Sequence, residues 1–298
     1  MSTVNNNKSP PLFSILIACL GGILVGFSGI FVRASDLGPM TTGFYRLLFA
    51  LPLMYVWMVC EREKNTDKKQ TLTRNDYLTI VLAGLLFAVD LAFWNWSIDY
   101  TVIVNATLLN NTSAFFVPLF MWIIFSEKIT LRTNVAAIFG FSGCMLLVGE
   151  SFTISMSNLI GDVIALFTGL MVTAYVIAVK KIRGHLPTGF LMFWTGVVTL
   201  IGMGIFSVLF NESFWPLTKN DWISVSGLAI FVHLMGQGFL AYSLGKISAS
   251  YGALILLLAP VTAAIFGSAI FGEHLSFIKL IGISIIMISI VAVANSEH

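Results

Sequence analysis

Charged residues are scarce in this chain: Lys, Arg, Asp and Glu make up 10% of its 298 residues, and the formal net charge is only +2. Such a small balance lacks the basic stripe of a nucleic-acid-binding protein, so we expect no nucleic-acid partner. Hydrophobic residues make up 57% of the chain, and the mean hydropathy is +0.92. This apolar content exceeds what a soluble core of this size uses, so lipid is the predicted solvent.

Cysteine is also scarce, and the positions of Cys19, Cys60 and Cys144 show neither paired nor metal-type spacing. The sequence therefore indicates neither a disulfide framework nor a zinc site. It contains no Walker motif that would couple ATP, and no Asp-rich cluster or nucleophile with its base. We predict a protein that has no cofactor and is not an enzyme. A membrane-embedded transferase stays open as an alternative of a different class.

Long apolar runs fill the rest of the chain. Stretches of about 20 apolar residues, which is the length that crosses a hydrocarbon core, recur ten times. The first is too long for a secretory signal and lacks its cleavage motif, so it is interpreted as a retained helix. The predicted fold is an all-α membrane protein with ten transmembrane helices, here called spans one to ten, at 12–32, 40–60, 77–98, 102–125, 132–149, 159–180, 187–210, 222–244, 249–271 and 276–294.

The distribution of Lys and Arg between the loops predicts the orientation. With the N-terminus inside, the inner segments hold twelve basic residues and the outer segments hold three, Arg33, Lys219 and Lys279. Because basic loops stay cytoplasmic, both termini are predicted to be cytoplasmic. The connector from Glu61 to Asn75 is interpreted as a solvated cytoplasmic loop.

A repeat with an offset of 146 residues indicates duplication. The turn Ser126-Glu127-Lys128-Ile129-Thr130 matches Gly272-Glu273-His274-Leu275-Ser276, and Phe93 pairs with Phe239 as Phe120 does with Phe266. We predict two repeats, at 1–150 and 151–298, with five helices each. Since five is odd, the second repeat enters the membrane inverted, as in many secondary transporters.

The most specific stretches resemble a known family. DLAFWNWSIDYTVIVNATLLNN at 90–111 and AYSLGKISASYGA at 241–253, each followed by the turn described above, resemble the EamA family of the drug/metabolite transporter superfamily. The resemblance covers nearly the whole chain. It implies a ten-helix inner-membrane carrier for amino acids or other small metabolites, often an exporter. It also implies a pathway lined chiefly by spans one, three, four, six, eight and nine.

Two positions depart from the family pattern. Ser126 occupies a turn position where the family commonly has glycine. Pro118 in span four is not aligned with Pro260 in span nine at the repeat offset. This difference allows the two helices to bend differently.

Asp90 is the strongest candidate for substrate binding and proton coupling. A carboxylate inside span three is costly in lipid and tends to face a cavity or a partner, and it lies about 12 Å inside the outer end of the helix. Trp94 follows one turn later, so the two side chains together can bind an ammonium group by charge and cation–π attraction. A structural salt bridge with Arg46 of span two is an equally open interpretation.

His233 and Gln237 occupy a similar depth in span eight, near Gly236, which the repeat offset pairs with Asp90. A histidine changes its charge near physiological pH, so His233 is a candidate for proton coupling. Gln237, one turn on, is a candidate for substrate binding. A neutral, hydrogen-bonded His233 that only joins helices is the alternative.

Span four carries a polar stripe with Thr107, Asn110 and Asn111, which must face away from lipid. These three residues are predicted to bind substrate along a wet pathway, and hydrogen bonding between helices is the alternative role of the stripe. Tyr251 opens the corresponding face of span nine, which is otherwise apolar and is also predicted to line the site. A polar wall opposite an apolar wall suits an amphipathic solute.

These features together favour a secondary active transporter for a small metabolite, an amino acid or related amine that is exported in exchange for protons. An importer of a nucleoside-like cationic metabolite such as S-adenosylmethionine is the alternative within transport. The expected partners are the solute, protons and the lipid bilayer, and the sequence indicates no obligate protein partner.

Overall fold

The regular structure is helical throughout the part of the chain that the computed structural model describes, with no strand in these ranges: 12–64, 72–97, 100–101, 103–126, 130–149, 157–215, 218–271 and 275–294. Four of the ten spans are built from more than one helical segment. In chain order the helices are Leu12–Gly26 and Ser28–Arg33, Pro39–Lys64, Arg74–Ser97, Ile103–Asn110 and Ser113–Phe125, Leu131–Gly149, Leu159–Arg183, Thr188–Leu209, Lys219–Gly227 with Leu228–Gln237 and Gly238–Leu244, Ala249–Ile255 and Leu258–Phe271, and Phe277–Ala294.

Nine of these helical stretches are long and apolar enough to cross a membrane, counted over the described residues. The tenth, span five, has a shorter apolar helix at Leu131–Leu147. The predicted all-α membrane fold is confirmed, and the predicted span limits lie within a few residues of the observed ones. The helix of span two continues to Lys64, so the first residues of the predicted loop from Glu61 are helical instead.

Span four breaks at Asn111 and Thr112 because polar side chains compete for the carbonyls of the helix. Asn111 Nδ2 donates to the Thr107 carbonyl at 2.8 Å, and Thr112 Oγ1 donates to the Leu109 carbonyl at 2.5 Å. The chain therefore turns once before the helix restarts at Ser113.

Span nine breaks at Leu256 and Leu257 for a different reason. Pro260 has no N–H to give to the Leu256 carbonyl four residues earlier, and that carbonyl accepts from the Ala259 N–H at 2.9 Å. Asn111 and Leu256 are 145 residues apart, within one residue of the repeat offset. The two bends thus fall at equivalent positions although different side chains cause them.

The packing of the spans is symmetric between the two halves. Span five lies along span ten, and span two lies along span seven. Span three packs against span six as span eight packs against span one, and span four packs against span six as span nine packs against span one. This pattern is consistent with inverted repeats, and the division into 1–150 and 151–298 stays a prediction.

Glycines set the closest helix approaches, as small residues do in membranes. A Cβ atom at Gly22 of span one would lie 2.7 Å from the Ile255 carbonyl oxygen, and one at Gly26 would lie 2.5 Å from that of Ala259. The small residues of span one therefore serve its contact with span nine, which is the packing role that their spacing indicates.

Replacing Gly282 of span ten by Ala should destabilise the protein. The new Cβ would lie 2.6 Å from the Gly143 carbonyl oxygen and 2.8 Å from the Leu147 nitrogen, so the two backbones must separate at a cost of about 1–3 kcal/mol. Thermal unfolding in detergent measures the effect. Gly149→Ala in span five is the control, because a Cβ there meets nothing within 4 Å. Equal unfolding temperatures for the two variants would contradict the packing argument.

Two capping boxes 145 residues apart begin spans three and eight. Asp76 Oδ2 accepts from the Thr73 N–H at 2.8 Å while Thr73 Oγ1 accepts from the Asp76 N–H. Thr218 and Asp221 repeat this geometry with the same 2.8 Å contact. The boxes TRNDY at 73–77 and TKNDW at 218–222 are a repeat signature that the sequence analysis missed, although a capping box is readable from sequence.

The second carboxylate oxygen of each box fixes a neighbouring loop. Asp76 Oδ1 lies 2.8 Å from His185 Nε2 between spans six and seven. Asp221 Oδ1 accepts from Ser35 Oγ at 2.9 Å and from the Asp36 N–H at 2.8 Å between spans one and two. Equivalent loops at opposite ends of the molecule are therefore tied to equivalent helix starts.

Spans two and seven cap each other. Glu61, at the end of span two, accepts from the N–H groups of Thr188 and Gly189, which begin span seven, at 3.0 and 2.5 Å. Glu212, just beyond the end of span seven, accepts from the N–H groups that begin span two, those of Met40 at 3.1 Å and Thr41 at 2.7 Å. Each carboxylate thus satisfies orphan donors at the positive end of the other helix.

Ser126 ends span four in the left-handed region with φ of 52°. This conformation explains why glycine is common at the position in the family, since glycine adopts it without steric cost. The remaining turn residues of the sequence prediction, Glu127, Lys128, Ile129, Gly272, Glu273 and His274, lie outside the described residues.

Candidate functional site

A cavity of about 220 Å³ lies where spans one, three, four, six, eight and nine meet, with one residue of span two. Helices of both halves therefore contribute to its wall. Most of the lining is apolar, from Val25 in span one to Ala263 in span nine, and the polar groups concentrate on spans two, three and four. These are the spans that the family resemblance implies, with span two added.

Asp90 lies on the cavity wall and is buried, with 6% of its surface exposed. Its Oδ1 accepts from Asn110 Nδ2 at 3.0 Å. The same Asn110 nitrogen lies 2.9 Å from Thr168 Oγ1, and Thr168 in turn donates to the Ala165 carbonyl. This network joins spans three, four and six, and it holds the carboxylate toward the polar wall.

Arg46 enters the same cavity from span two and is also buried, at 4% exposure. Its Nη1 reaches Ser28 Oγ at 3.5 Å, which is a long contact for a hydrogen bond. Its Nε has no hydrogen-bond partner among the described residues. Arg46 and Asp90 do not form a salt bridge with each other in this structure. The salt bridge that was the alternative interpretation of Asp90 is therefore absent here.

Four other predicted site residues line the cavity: Trp94, Thr107, Asn111 and Gln237. Trp94 and Gln237 are half-buried and present side-chain surface to the cavity. Asn111 donates its amide N–H to the Thr107 carbonyl. Its first role is therefore to stabilise the break in span four, which lies beside the cavity. The structure therefore brings together six of the eight predicted site residues.

His233 and Tyr251 do not reach the cavity wall. His233 is 2% exposed and its ring lies 5.5 Å from that of Phe87, which does line the cavity. Its Nδ1 has no hydrogen-bond partner. Tyr251 is fully buried in an apolar cluster with Leu254 and Ile255. His233 therefore sits behind an aromatic layer, and Tyr251 belongs to the packing of span nine.

The π-helical segment Leu228–Gln237 of span eight carries both His233 and Gln237. Wider π turns rotate the following side chains relative to an α-helix and are frequent at functional sites. Within this segment, Gln237 lies at the cavity and His233 lies behind Phe87. The sequence contained no readable signal for it.

One family of known proteins matches nearly the whole chain. The model of the EamA-like transporter family matches residues 12–149 and 159–295. The chain belongs to the EamA-like transporter family. It is accordingly a multi-pass membrane transporter, and the family assignment made from the sequence is confirmed.

Several relatives of this EamA-like transporter match along most of their length. An uncharacterized transporter of Archaeoglobus fulgidus is 25% identical over 300 residues, covering 98% of this chain and 99% of the relative. The pseudopaline exporter CntI of Pseudomonas aeruginosa is 21% identical over 286 residues, covering 95% and 96%. A solved structure with 15% identity superposes with a TM-score of 0.81 over 95% of this chain and 96% of its own, which shows a shared fold.

Arg46 is the site residue that sequence reasoning placed only as a structural partner of Asp90. A signal was present, because Arg46 lies well inside a predicted span, whereas Arg132, Lys180 and Lys279 fall at or near the ends of theirs. Buried cations in membranes face a cavity or a partner. Spacing along the helix could not show that Arg46 and Asp90 would share a cavity without pairing.

Proposed function

We propose that this EamA-like transporter is a secondary active exporter of a small amine or amino acid, driven by protons across a cell inner membrane. The observation that carries the proposal is the buried carboxylate of Asp90 on the wall of a cavity built from both halves. Its volume of about 220 Å³ is below the ~300–1,000 Å³ of pockets for drug-sized ligands. A small solute is therefore favoured.

The ammonium group of the solute binds between Asp90 and Trp94. Both line the cavity one helical turn apart, and an indole face next to a carboxylate stabilises a cation by cation–π attraction as well as by charge. Asn110 already holds one carboxylate oxygen at 3.0 Å, which orients the group without neutralising it.

Proton coupling follows from competition for one carboxylate. In a site of low dielectric, Asp90 is stabilised by a proton or by an ammonium group, but not by both at once. A proton that arrives from outside displaces the cationic solute, and a solute that arrives from inside displaces the proton. The name of the relative CntI as an exporter supports outward movement of the solute.

The test begins with purified protein and a panel of amino acids, simple amines, polyamines and nucleosides. A solute that binds the folded state raises its unfolding temperature, and we expect amines or amino acids to do so. The stabilising solute should then accumulate in proteoliposomes when a pH gradient is imposed. Stabilisation by nucleosides only, or uptake that ignores the gradient, would contradict the proposal.

His233 is proposed to relay protons, on the basis of its buried imidazole behind Phe87 with a free Nδ1. We expect His233→Gln to flatten the response of transport to a pH gradient, because glutamine keeps a hydrogen-bonding group that does not titrate. Counterflow exchange, which needs no net proton movement, should change less. His185→Gln, at the exposed loop between spans six and seven, is the matched histidine control. Equal losses of gradient-driven uptake and counterflow would assign His233 to packing.

The proposed orientation places both termini and the inner end of span two in the cytoplasm. In a cysteine-free background, Arg62→Cys should react with a membrane-impermeant maleimide only after the cells are opened. Ser213→Cys should react in intact cells, because Ser213 lies beyond the other end of the membrane-spanning region. Both positions are exposed, so each can reach the reagent. Labelling of the cysteine at position 62 in intact cells would contradict this orientation.

A further inference from the structure

Arg46 is the charged group of the cavity that an amine site leaves unused. Its guanidinium carries five N–H donors, yet among the described residues it makes one hydrogen bond, to Ser28 Oγ at 3.5 Å, and its Nε makes none. Arg46 is also 4% exposed, so little of the side chain reaches bulk water. Buried donors without acceptors are costly, which indicates that an anionic group belongs in front of this side chain.

The two charges of the cavity form no salt bridge with each other. Asn110 holds Asp90 toward spans four and six, whereas Ser28 of span one lies next to Arg46. Because both side chains line one cavity, a solute in it meets a carboxylate and a guanidinium. A molecule that carries both charges complements this arrangement.

We propose that the cavity is a zwitterion site, in which Arg46 binds the carboxylate of the solute while Asp90 binds its ammonium group; this rests on the proposed function and narrows it to amino-acid-like solutes. A guanidinium suits a carboxylate because two parallel N–H groups match its two oxygens. Ser28 adds a hydroxyl next to the carboxylate. Val25, Val172 and Leu240 supply an apolar wall for the side chain of the solute.

Discrimination against simple amines is the consequence that separates this site from a bare cation site. An amine without a carboxylate satisfies Asp90 but leaves the guanidinium buried and unpaired. A site built for a polar group rejects an analogue that lacks it more strongly than an apolar pocket rejects an extra methylene. Purely cationic solutes, such as polyamines, should therefore bind weakly.

The test compares matched pairs of probes on purified full-length protein: L-leucine with isoamylamine and with leucinamide, and L-phenylalanine with phenethylamine. Wild-type protein should bind the amino acid of each pair about tenfold to hundredfold more tightly than the amine or the amide, by thermal shift and by calorimetry. In Arg46→Gln this preference should fall below about threefold, through weaker binding of the amino acid and unchanged binding of the amine. Arg62→Gln, an exposed arginine at the end of the same span, should keep the wild-type preference.

The outcomes separate this inference from the proposed function. If wild-type protein binds and exports amines as well as amino acids, the zwitterion site is wrong and the amine exporter stands. If Arg46→Gln weakens both members of a pair equally, Arg46 is structural and the inference fails. If neither amines nor amino acids bind, both are wrong. Should Arg46→Gln fail to fold, the wild-type comparison still decides, and Arg46→Lys, which keeps the charge, should retain part of the preference.

Discussion

Asp90→Asn should abolish concentrative transport in proteoliposomes while leaving the fold intact. Asparagine has the shape of aspartate and keeps an oxygen that can accept from Asn110 Nδ2. In the wild-type protein this nitrogen lies 3.0 Å from the Asp90 carboxylate. Asparagine cannot exchange a proton, and it does not pair with a cation by charge. Loss of one partner of a buried charge pair costs about 2–5 kcal/mol, which weakens solute binding about 30-fold to several thousand-fold.

The matched control for this experiment is Asp162→Asn. Asp162 is the acceptor for Thr101 Oγ1 at 2.6 Å and for Asn105 Nδ2 at 3.0 Å, where span four meets the first turn of span six, and it does not line the cavity. We expect this variant to transport. Transport at the wild-type rate by Asp90→Asn would restrict Asp90 to a structural role.

Glu61→Ala and Glu212→Ala should each strongly destabilise the protein. Either change removes two hydrogen bonds to a charged acceptor, and such bonds contribute about 1.5–3 kcal/mol each. The N–H groups left behind lie at a helix start near the membrane, where few other acceptors are available. The expected loss is therefore about 3 kcal/mol or more for either variant, measured as a lower unfolding temperature in detergent.

Arg62→Ala is the control for both variants, because Arg62 is an exposed charged residue in the last turn of the same span as Glu61. Glu61→Gln and Glu212→Gln should fall between the alanine variants and wild type, since an amide oxygen still accepts without the charge. A loss in Arg62→Ala as large as in Glu61→Ala would show that the mutual capping of spans two and seven is unimportant.

The spans were predictable because each is a long apolar run, and the observed helices of spans two, six and seven differ from the predicted ones by only a few residues. The mutual caps were not, because Glu61 and Glu212 act across 127 and 172 residues of sequence, which no local pattern reveals. In the sequence, Glu61 looks like the start of a charged loop. In the structure, its carboxylate caps the first turn of span seven. The capping boxes at Thr73 and Thr218 were readable and would have strengthened the repeat.

The candidate site was predictable in part. Depth along a helix put Asp90 and Trp94 near one another, and the polar stripe put Asn110 on the inner face of span four. His233 lies behind Phe87 and does not line the cavity, and the π-helical segment Leu228–Gln237 that carries it has no readable signal in the sequence. Rotation of a helix about its axis depends on tertiary packing and hydrogen bonding, which the sequence period alone does not determine.

The central claim is that Asp90 exchanges a proton for the ammonium group of the solute. Calorimetry of L-leucine binding to the purified protein, in buffers with different heats of ionisation, counts the protons released on binding. We predict net proton release on binding by wild-type protein and none by Asp90→Asn wherever residual binding is measurable. Saturable binding to wild-type protein with no proton release at any pH where the transporter works would contradict the exchange mechanism.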